Sequence, residues 1–267
     1  MTSALSRGVR IVELLAEHGD GLGMQNLAAL LDLPKSTTHR LLAELAALGL
    51  VRQDPVTSRY QLSTRLLSLA FRFMGSTGIS DVAQPILDQL ASATGELVRM
   101  AAVDGDLLSW VAKAQGARVG LRYDPEMGQD VWLYCTATGA AWLGTLDDDE
   151  ALRIVTAQGF GKLKDHGPNA PRTIAAFLER LAETRKAGYA IVVDSGAVGT
   201  AAIAASICHP RSGVAIGTVS IAGPSARLTR ERLTALAPLL LDAAAELGAV
   251  SEAPHFRRRP QTDSIAC

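Results

Sequence analysis

The sequence predicts an α+β chain in two domains: a small three-helix module closed by a β-hairpin, then a larger domain built around an antiparallel sheet. Three observations carry this. Three short segments of helical periodicity in the first fifty residues give way to two alternating runs about a turn-rich loop. Farther along, hairpin-linked strands are interrupted by grouped helices, the pattern of α+β rather than of a parallel sheet. At 267 residues the chain is long enough for a small domain and a larger one.

Ser6 to His18 reads as the first helix, with Val9, Ile11, Val12, Leu14 and Leu15 on an apolar face and Gly19 and Gly21 ending it. Met24 to Leu31 is the second. Asp32-Leu33-Pro34 is a tight connection whose proline suits the first turn of the next helix, which runs from Pro34 to Leu48. Gly49 stops it where a left-handed cap strains the chain least. Leu50 to Gln53 and Arg59 to Leu62 then alternate about Asp54-Pro55-Val56-Thr57-Ser58, a hairpin. Thr64 to Met74 returns to helical periodicity and is apolar over so wide an arc that burial on two sides is expected, as a linker that also pairs with a second subunit. Gly75-Ser76-Thr77-Gly78 marks the boundary. The expected division is 1–63, a linker helix 64–78, a second domain 79–249, and a polar, proline-containing tail 250–267 expected to be disordered.

In the second domain a helix from Ser80 to Thr94 precedes strands near Leu97 to Val103, Leu107 to Ala114 and Val119 to Arg122. Helices are expected at Thr136 to Leu146, Asp148 to Gln158 and Thr173 to Ala187. Strands follow at Tyr189 to Val193, Ala202 to Cys208 and Val214 to Ala222, and Thr229 caps a last helix to about Leu247.

Apolar residues at 48% and charged ones at 20% can bury real cores and do not have the balance of a disordered chain. Met1 to Leu15 carries Arg7, Arg10 and Glu13 within its apolar stretch, which suits neither a signal peptide nor a membrane span, and no membrane partner is expected. Cys135, Cys208 and Cys267 stand far apart with no C-x-x-C pair, so neither a disulfide framework, a metal site nor a cofactor is expected, and the reading is a cytoplasmic protein. Residues 1–75 hold eight basic against six acidic groups, an excess too small to argue a nucleic-acid partner from charge.

The order of elements argues it instead. Three short helices, a tight turn before the third and a hairpin make a winged helix-turn-helix. On the third helix Leu41, Leu42, Leu45 and Leu48 cluster on one side, with Ser36, His39, Arg40, Ala43 and Ala47 opposite and Thr37 at the flank. Small alanines let such a helix approach a groove floor, while Ser36, Thr37, His39 and Arg40 reach base edges or phosphates. Lys35 and the hairpin residues Arg52 and Arg59 are placed to neutralise phosphates of double-stranded DNA. The alternative is a protein-interaction module with a solvated polar face.

Leu33-Pro34-Lys35-Ser36-Thr37-Thr38-His39-Arg40-Leu41-Leu42 and Gly49-Leu50-Val51-Arg52 resemble the IclR family of bacterial transcription regulators. The likeness continues through Arg59-Tyr60-Gln61-Leu62, Leu133 to Gly139, Gly188-Tyr189-Ala190, Ser220 to Pro224 and Arg227-Leu228-Thr229, covering about residues 4 to 248. The order and spacing of these strings carry it. The resemblance implies a winged helix-turn-helix joined by a helix to a GAF-like effector domain, a repressor acting as dimer or tetramer on operator DNA, and small organic or aromatic acids as effectors.

By the same resemblance the effector meets Leu133 to Gly139, Ile191 to Ile203 and Thr218 to Gly223. Cys135 to Gly139 leads from an extended segment into a helix, where unpaired amides suit a carboxylate, and the resemblance points to those of Ala137 and Thr138. The alternative is an ordinary helix start satisfied by water. Members that sense glyoxylate or pyruvate carry an acidic residue, a cysteine and two serines at the positions of Val192, Ala202, Ser220 and Ala222, and here only Ser220 is polar. A two-residue strand offset would return Asp194 to the site. With Met127, Trp132 and Tyr134 nearby, the expected ligand is an aromatic or medium-sized apolar carboxylic acid.

Two other readings stay open at the sequence level. Cys135 as a nucleophile with His166 or His209 as base would make a small-molecule enzyme, and Cys135 as a redox switch would keep the DNA function but change the signal. The acidic run Asp147 to Glu150 complements a helix start without catalysis.

Overall fold

Ser3 opens the first helix: its hydroxyl accepts the Ser6 amide at 3.1 Å, so α1 spans Ala4–Glu17 and begins two residues before the expected start. The computed structural model describes residues 3–77, 79–125, 131–161 and 165–251. Met127 lies outside the described residues, as does the tail expected to be disordered over 250–267, except that Val250 ends a helix and Ser251 caps it. The chain divides into two compact units, Met1–Ser76 and Thr77–Cys267.

In the first unit α2 (Met24–Leu30) and α3 (Lys35–Ala47) follow, joined through Asp32 at φ 51°, a left-handed position that a short polar side chain tolerates. Pro34 is the N-cap of α3 rather than its first helical residue. Strands β1 (Val51–Gln53) and β2 (Tyr60–Leu62) pair antiparallel, and Leu22 bridges to Tyr60, tying the hairpin to the segment before α2. Ile11, Leu15, Leu27, Leu41, Leu42 and Val51 form the core. Leu48 does not join it and stands 56% exposed. Gly49 at φ 69° explains why, because α3 ends in a reversal in which the Leu50 amide donates to the Leu45 carbonyl and the Gly49 amide to that of Ala46. That turn brings Leu50 back onto the core in the place expected for Leu48. Helix α4 (Thr64–Thr77) continues past Met74 through Gly75, Ser76 and Thr77.

In the second unit α5 (Ile79–Thr94) leads into strands β3 (Leu97–Asp104) and β4 (Leu107–Gln115). Helices α6 (Ala137–Leu143), α7 (Asp148–Gln158) and α8 (Ile174–Ala187) come next. Strands β5 (Ala190–Val193), β6 (Thr200–Cys208) and β7 (Ala215–Pro224) and helix α9 (Arg230–Val250) complete it. The five strands form one antiparallel sheet in the order β4-β3-β7-β6-β5. Val119 to Arg122 is not a strand: Gly120 sits at φ 79°, and Val119 and Leu121 stand in solvent with no face to bury.

Alternation along the strands gives the sheet two packed faces. Val98, Ile203 and Ile221 face a core shared with Leu87 of α5 and Leu240 of α9. Ala101, Ala190 and Ala204 face the other, with Leu143 of α6, Val155 of α7 and Phe177 of α8. Helix α9 is long and apolar enough to cross a membrane by composition, yet it buries Leu233, Ala237, Leu240, Ala244 and Leu247 in the core it shares with α5. The acidic run is absorbed locally. Asp147 caps α7 by accepting the Glu150 amide at 2.8 Å, Asp148 pairs with Arg185, and Glu150 and Asp106 share Arg153.

Candidate DNA-reading face and ligand cavity

Helix α3 buries Thr38, Leu41, Leu42 and Leu45 and turns Lys35, Ser36, His39, Arg40, Ala43 and Ala47 to solvent, with Thr37 half-buried at the flank. Thr38, its hydroxyl donating to the Pro34 carbonyl at 3.2 Å, locks the first turn from inside. Among the described residues no hydrogen bond or ion pair engages Lys35, His39 or Arg40, so their polar ends stay available. On the hairpin Arg52 donates to Gln61 at 2.8 Å, across the Cα register that pairs the two. Arg59 is exposed at the end of the loop. Asp54 shapes that loop by accepting the Val56 and Thr57 amides, which hold its carboxyl below the usual value.

The larger unit carries a cavity of about 190 Å³ on the inner face of its sheet. Register assembles the floor: Val192 pairs with Ala202, Ala202 with Ala222, and Ser220 with Arg99, all on one side of the pleat. Alanines at 202 and 222 leave the space that larger side chains would fill. Trp132, Cys135, Ala137 and Thr138 form a wall from the segment entering α6. That segment is clamped by Gln158, which accepts the Leu133 amide at 2.9 Å and donates to the Val131 carbonyl at 2.8 Å. Ser195 donates to the Cys135 carbonyl at 2.7 Å and is itself held by Arg180. Thr136 caps α6 by accepting the Gly139 amide at 3.0 Å.

Arg99, Trp110 and Tyr123 also line the cavity and were not anticipated. The signal was present, since Arg99 is the only charged residue between Leu97 and Val103, but its direction depends on strand register, which spacing alone does not reveal. The Arg99 guanidinium lies 3.7 Å from the Trp110 ring centre and 5.9 Å from that of Tyr123. Burial pulls its pKa down from the ordinary arginine value, with Tyr123 opposing.

Two expected positions stand elsewhere. Tyr134 does not line the cavity. It is fully buried in an aromatic cluster, its ring edge-on to Phe160 and His166 at 5.3 Å, and burial pushes its phenol up to about 12. Asp194 does not line it either. At φ 50° it turns the chain between β5 and β6, and its carboxylate accepts the Gly199 amide at 2.6 Å, so no strand offset brings it inward. Cys135 is withdrawn from solvent, its Sγ 3.6 Å from His166 Nδ1, and burial pushes the thiol up to about 12. A thiol held protonated is a poor nucleophile and a poor redox sensor. His209 sits in the β6–β7 turn, its Nδ1 accepting the Arg211 and Ser212 amides.

Residues 4–55 match the IclR helix-turn-helix domain, and residues 71–249 match the family described as bacterial transcriptional regulator IclR C-terminal. The HTH-type transcriptional repressor AllR of Salmonella typhimurium is 27% identical over 244 residues, 91% of this chain and 88% of that protein. The crystal structure of an IclR transcriptional regulator from Alicyclobacillus acidocaldarius superposes with a TM-score of 0.80 at 23% identity, covering 94% of this chain and 99% of that one. An IclR homologue from Microbacterium hydrocarbonoxydans, crystallised with 4-hydroxybenzoate, gives 0.76 at 19% identity over 92% and 98%. The last two show the shared fold. The family matches carry the rest: a reading helix free at its polar face and a cavity under an antiparallel sheet are the two working parts of a transcription regulator rather than of an enzyme, and the chain belongs to the IclR family of bacterial transcriptional regulators.

Proposed function

We propose that the chain is a cytoplasmic repressor that binds an inverted repeat as a dimer or dimer of dimers, its occupancy set by an aromatic or medium-sized apolar organic acid in the cavity. The observation that carries this is the cavity itself, about 190 Å³ walled by aromatic rings and floored by alanines, within a chain that also carries a free reading helix. The name of the AllR relative and the 4-hydroxybenzoate of the Microbacterium homologue support repression and an acid ligand.

The exposed Leu67 and Leu69 on α4 support self-association, since one recognition helix contacts only a few base pairs and a second copy supplies another half-site. The test is a mobility shift on the DNA upstream of the chain's own coding sequence, with light scattering in parallel. A specific shift from a dimer or tetramer is expected. A monomer at micromolar concentration, or a shift that competitor DNA of random sequence abolishes equally well, contradicts it.

A further inference from the structure

Resting on the reading that the cavity is the effector site, we propose that Arg99, stacked on Trp110, is the receptor for the ligand's carboxylate. We also infer that the ligand is a single-ring aromatic acid. This moves the anchor from the start of α6, a helix of seven residues whose first turn is already capped by Thr136, to the sheet.

A guanidinium does not lose its proton in a protein, so one half-withdrawn from water favours an anionic partner. Arg99 Nε is shielded from solvent and, among the described residues, has no hydrogen-bond partner. No described carboxylate forms an ion pair with it, and it is the only charged group among the described residues lining the cavity. Its face stacks on the Trp110 ring, and the neighbouring Tyr123 hydroxyl interacts with it but supplies no anion. Stacking engages the face of the guanidinium and leaves its edge, the part that matches a planar carboxylate, for something else. Ser220, its register partner on β7, is nearly as poorly used, with only a long 3.4 Å bond to the Arg99 carbonyl. A cation and a hydroxyl therefore converge on the floor of a cavity that offers no anion.

Volume sets the rest of the ligand. A dry protein cavity of about 150 Å³ accommodates benzene. The 190 Å³ here holds one ring with a carboxylate and leaves a two-carbon keto acid mostly unsupported. Trp110, Tyr123 and Trp132 supply flat apolar walls for such a ring.

The experiment is calorimetry on the full chain with benzoate, benzamide and glyoxylate, for the wild type, Arg99→Met and Ala222→Phe. Benzoate is expected to bind the wild type about 10- to 100-fold tighter than its uncharged isostere benzamide, as a charge-assisted hydrogen bond requires. It should also bind tighter than glyoxylate. Arg99→Met should erase the preference for benzoate over benzamide, while its unliganded Tm stays within a few degrees of wild type, because a half-buried cation without a carboxylate partner has been replaced by an apolar chain. Wild type that ignores benzoate or fails to distinguish it from benzamide overturns the proposal whatever the variants do. So does an Arg99→Met chain that keeps the discrimination. Ala222→Phe separates the two levels. If it loses benzoate binding while Arg99→Met keeps it, the cavity reading stands and the role of Arg99 falls. If it binds benzoate as wild type does, the cavity reading itself falls.

Discussion

Arg40 and Lys35 differ in what a substitution removes. Arg40 projects from the exposed face of α3 one turn in, placed to reach a base edge, whereas Lys35 opens the helix where a phosphate would lie. Arg40→Ala is expected to weaken operator binding by about 1 to 3 kcal/mol and to relax sequence preference, and Lys35→Ala to lower the slope of log K against log salt by about 0.9. Anisotropy titrations on operator and random duplexes across salt concentrations read both. An Arg40→Ala chain with unchanged affinity and preference would remove α3 from the major groove. At Cys135 the thiol pKa is pushed up to about 12 by burial, above the unfolded value of about 8.5. Above pH 8.5 the unfolded chain loses that proton while the folded chain keeps it, so stability falls as pH rises, by up to about 1.4 kcal/mol per unit from this group. The gap in melting temperature between Cys135→Ala and wild type should therefore shift in favour of the variant from pH 8.5 to 10.5. A gap that does not change with pH would mean the thiol titrates normally. The outward positions of α3 were legible because a helical wheel depends only on spacing. Arg99 was not, because the face a strand residue takes depends on pairing.

At the scale of elements, most boundaries were readable where a cap wrote them. Thr229 accepts the Arg232 amide and starts α9 where its hydroxyl was expected to do so, and Thr173, expected only to begin a helix, caps α8 by accepting the Ala176 amide. Boundaries failed where tertiary context overrode local preference. Val119 to Arg122 is extended in composition but has no strand to pair with. Asp194 was misjudged for a related reason, since a residue at positive φ belongs to the turn and leaves the alternation of β5. The entry into α6 is the element most exposed to a single change. A Cβ on Gly139 would fall 2.1 Å from the Leu133 carbonyl oxygen, so the helix can cross the preceding segment only with glycine there. Gly139→Ala is expected to displace the wall that carries Cys135, Ala137 and Thr138. Melting and benzoate affinity should both fall, Tm by several degrees for a loss of about 1 to 3 kcal/mol. A Gly139→Ala chain with wild-type Tm and affinity would show that this wall is not rigid.

For the whole molecule, the division into a reading unit and a sensing unit was legible from the order of periodicities, and the family strings lie in both. The sheet order was not, because β3 pairs with β7 across more than a hundred residues and only the folded chain brings them together. That pairing makes the cavity, and regulation requires ligand in the cavity to bias a DNA-binding equilibrium elsewhere in the chain. The most direct measurement is fluorescence anisotropy on the chain's upstream DNA at increasing benzoate, for wild type and Ala222→Phe. Wild-type DNA affinity should shift by about 5- to 150-fold as the cavity fills, the usual size of an allosteric coupling, while Ala222→Phe binds DNA as unliganded wild type does and ignores benzoate. Benzoate that binds the wild type without moving its DNA affinity, or an Ala222→Phe chain that responds as wild type does, would contradict the account.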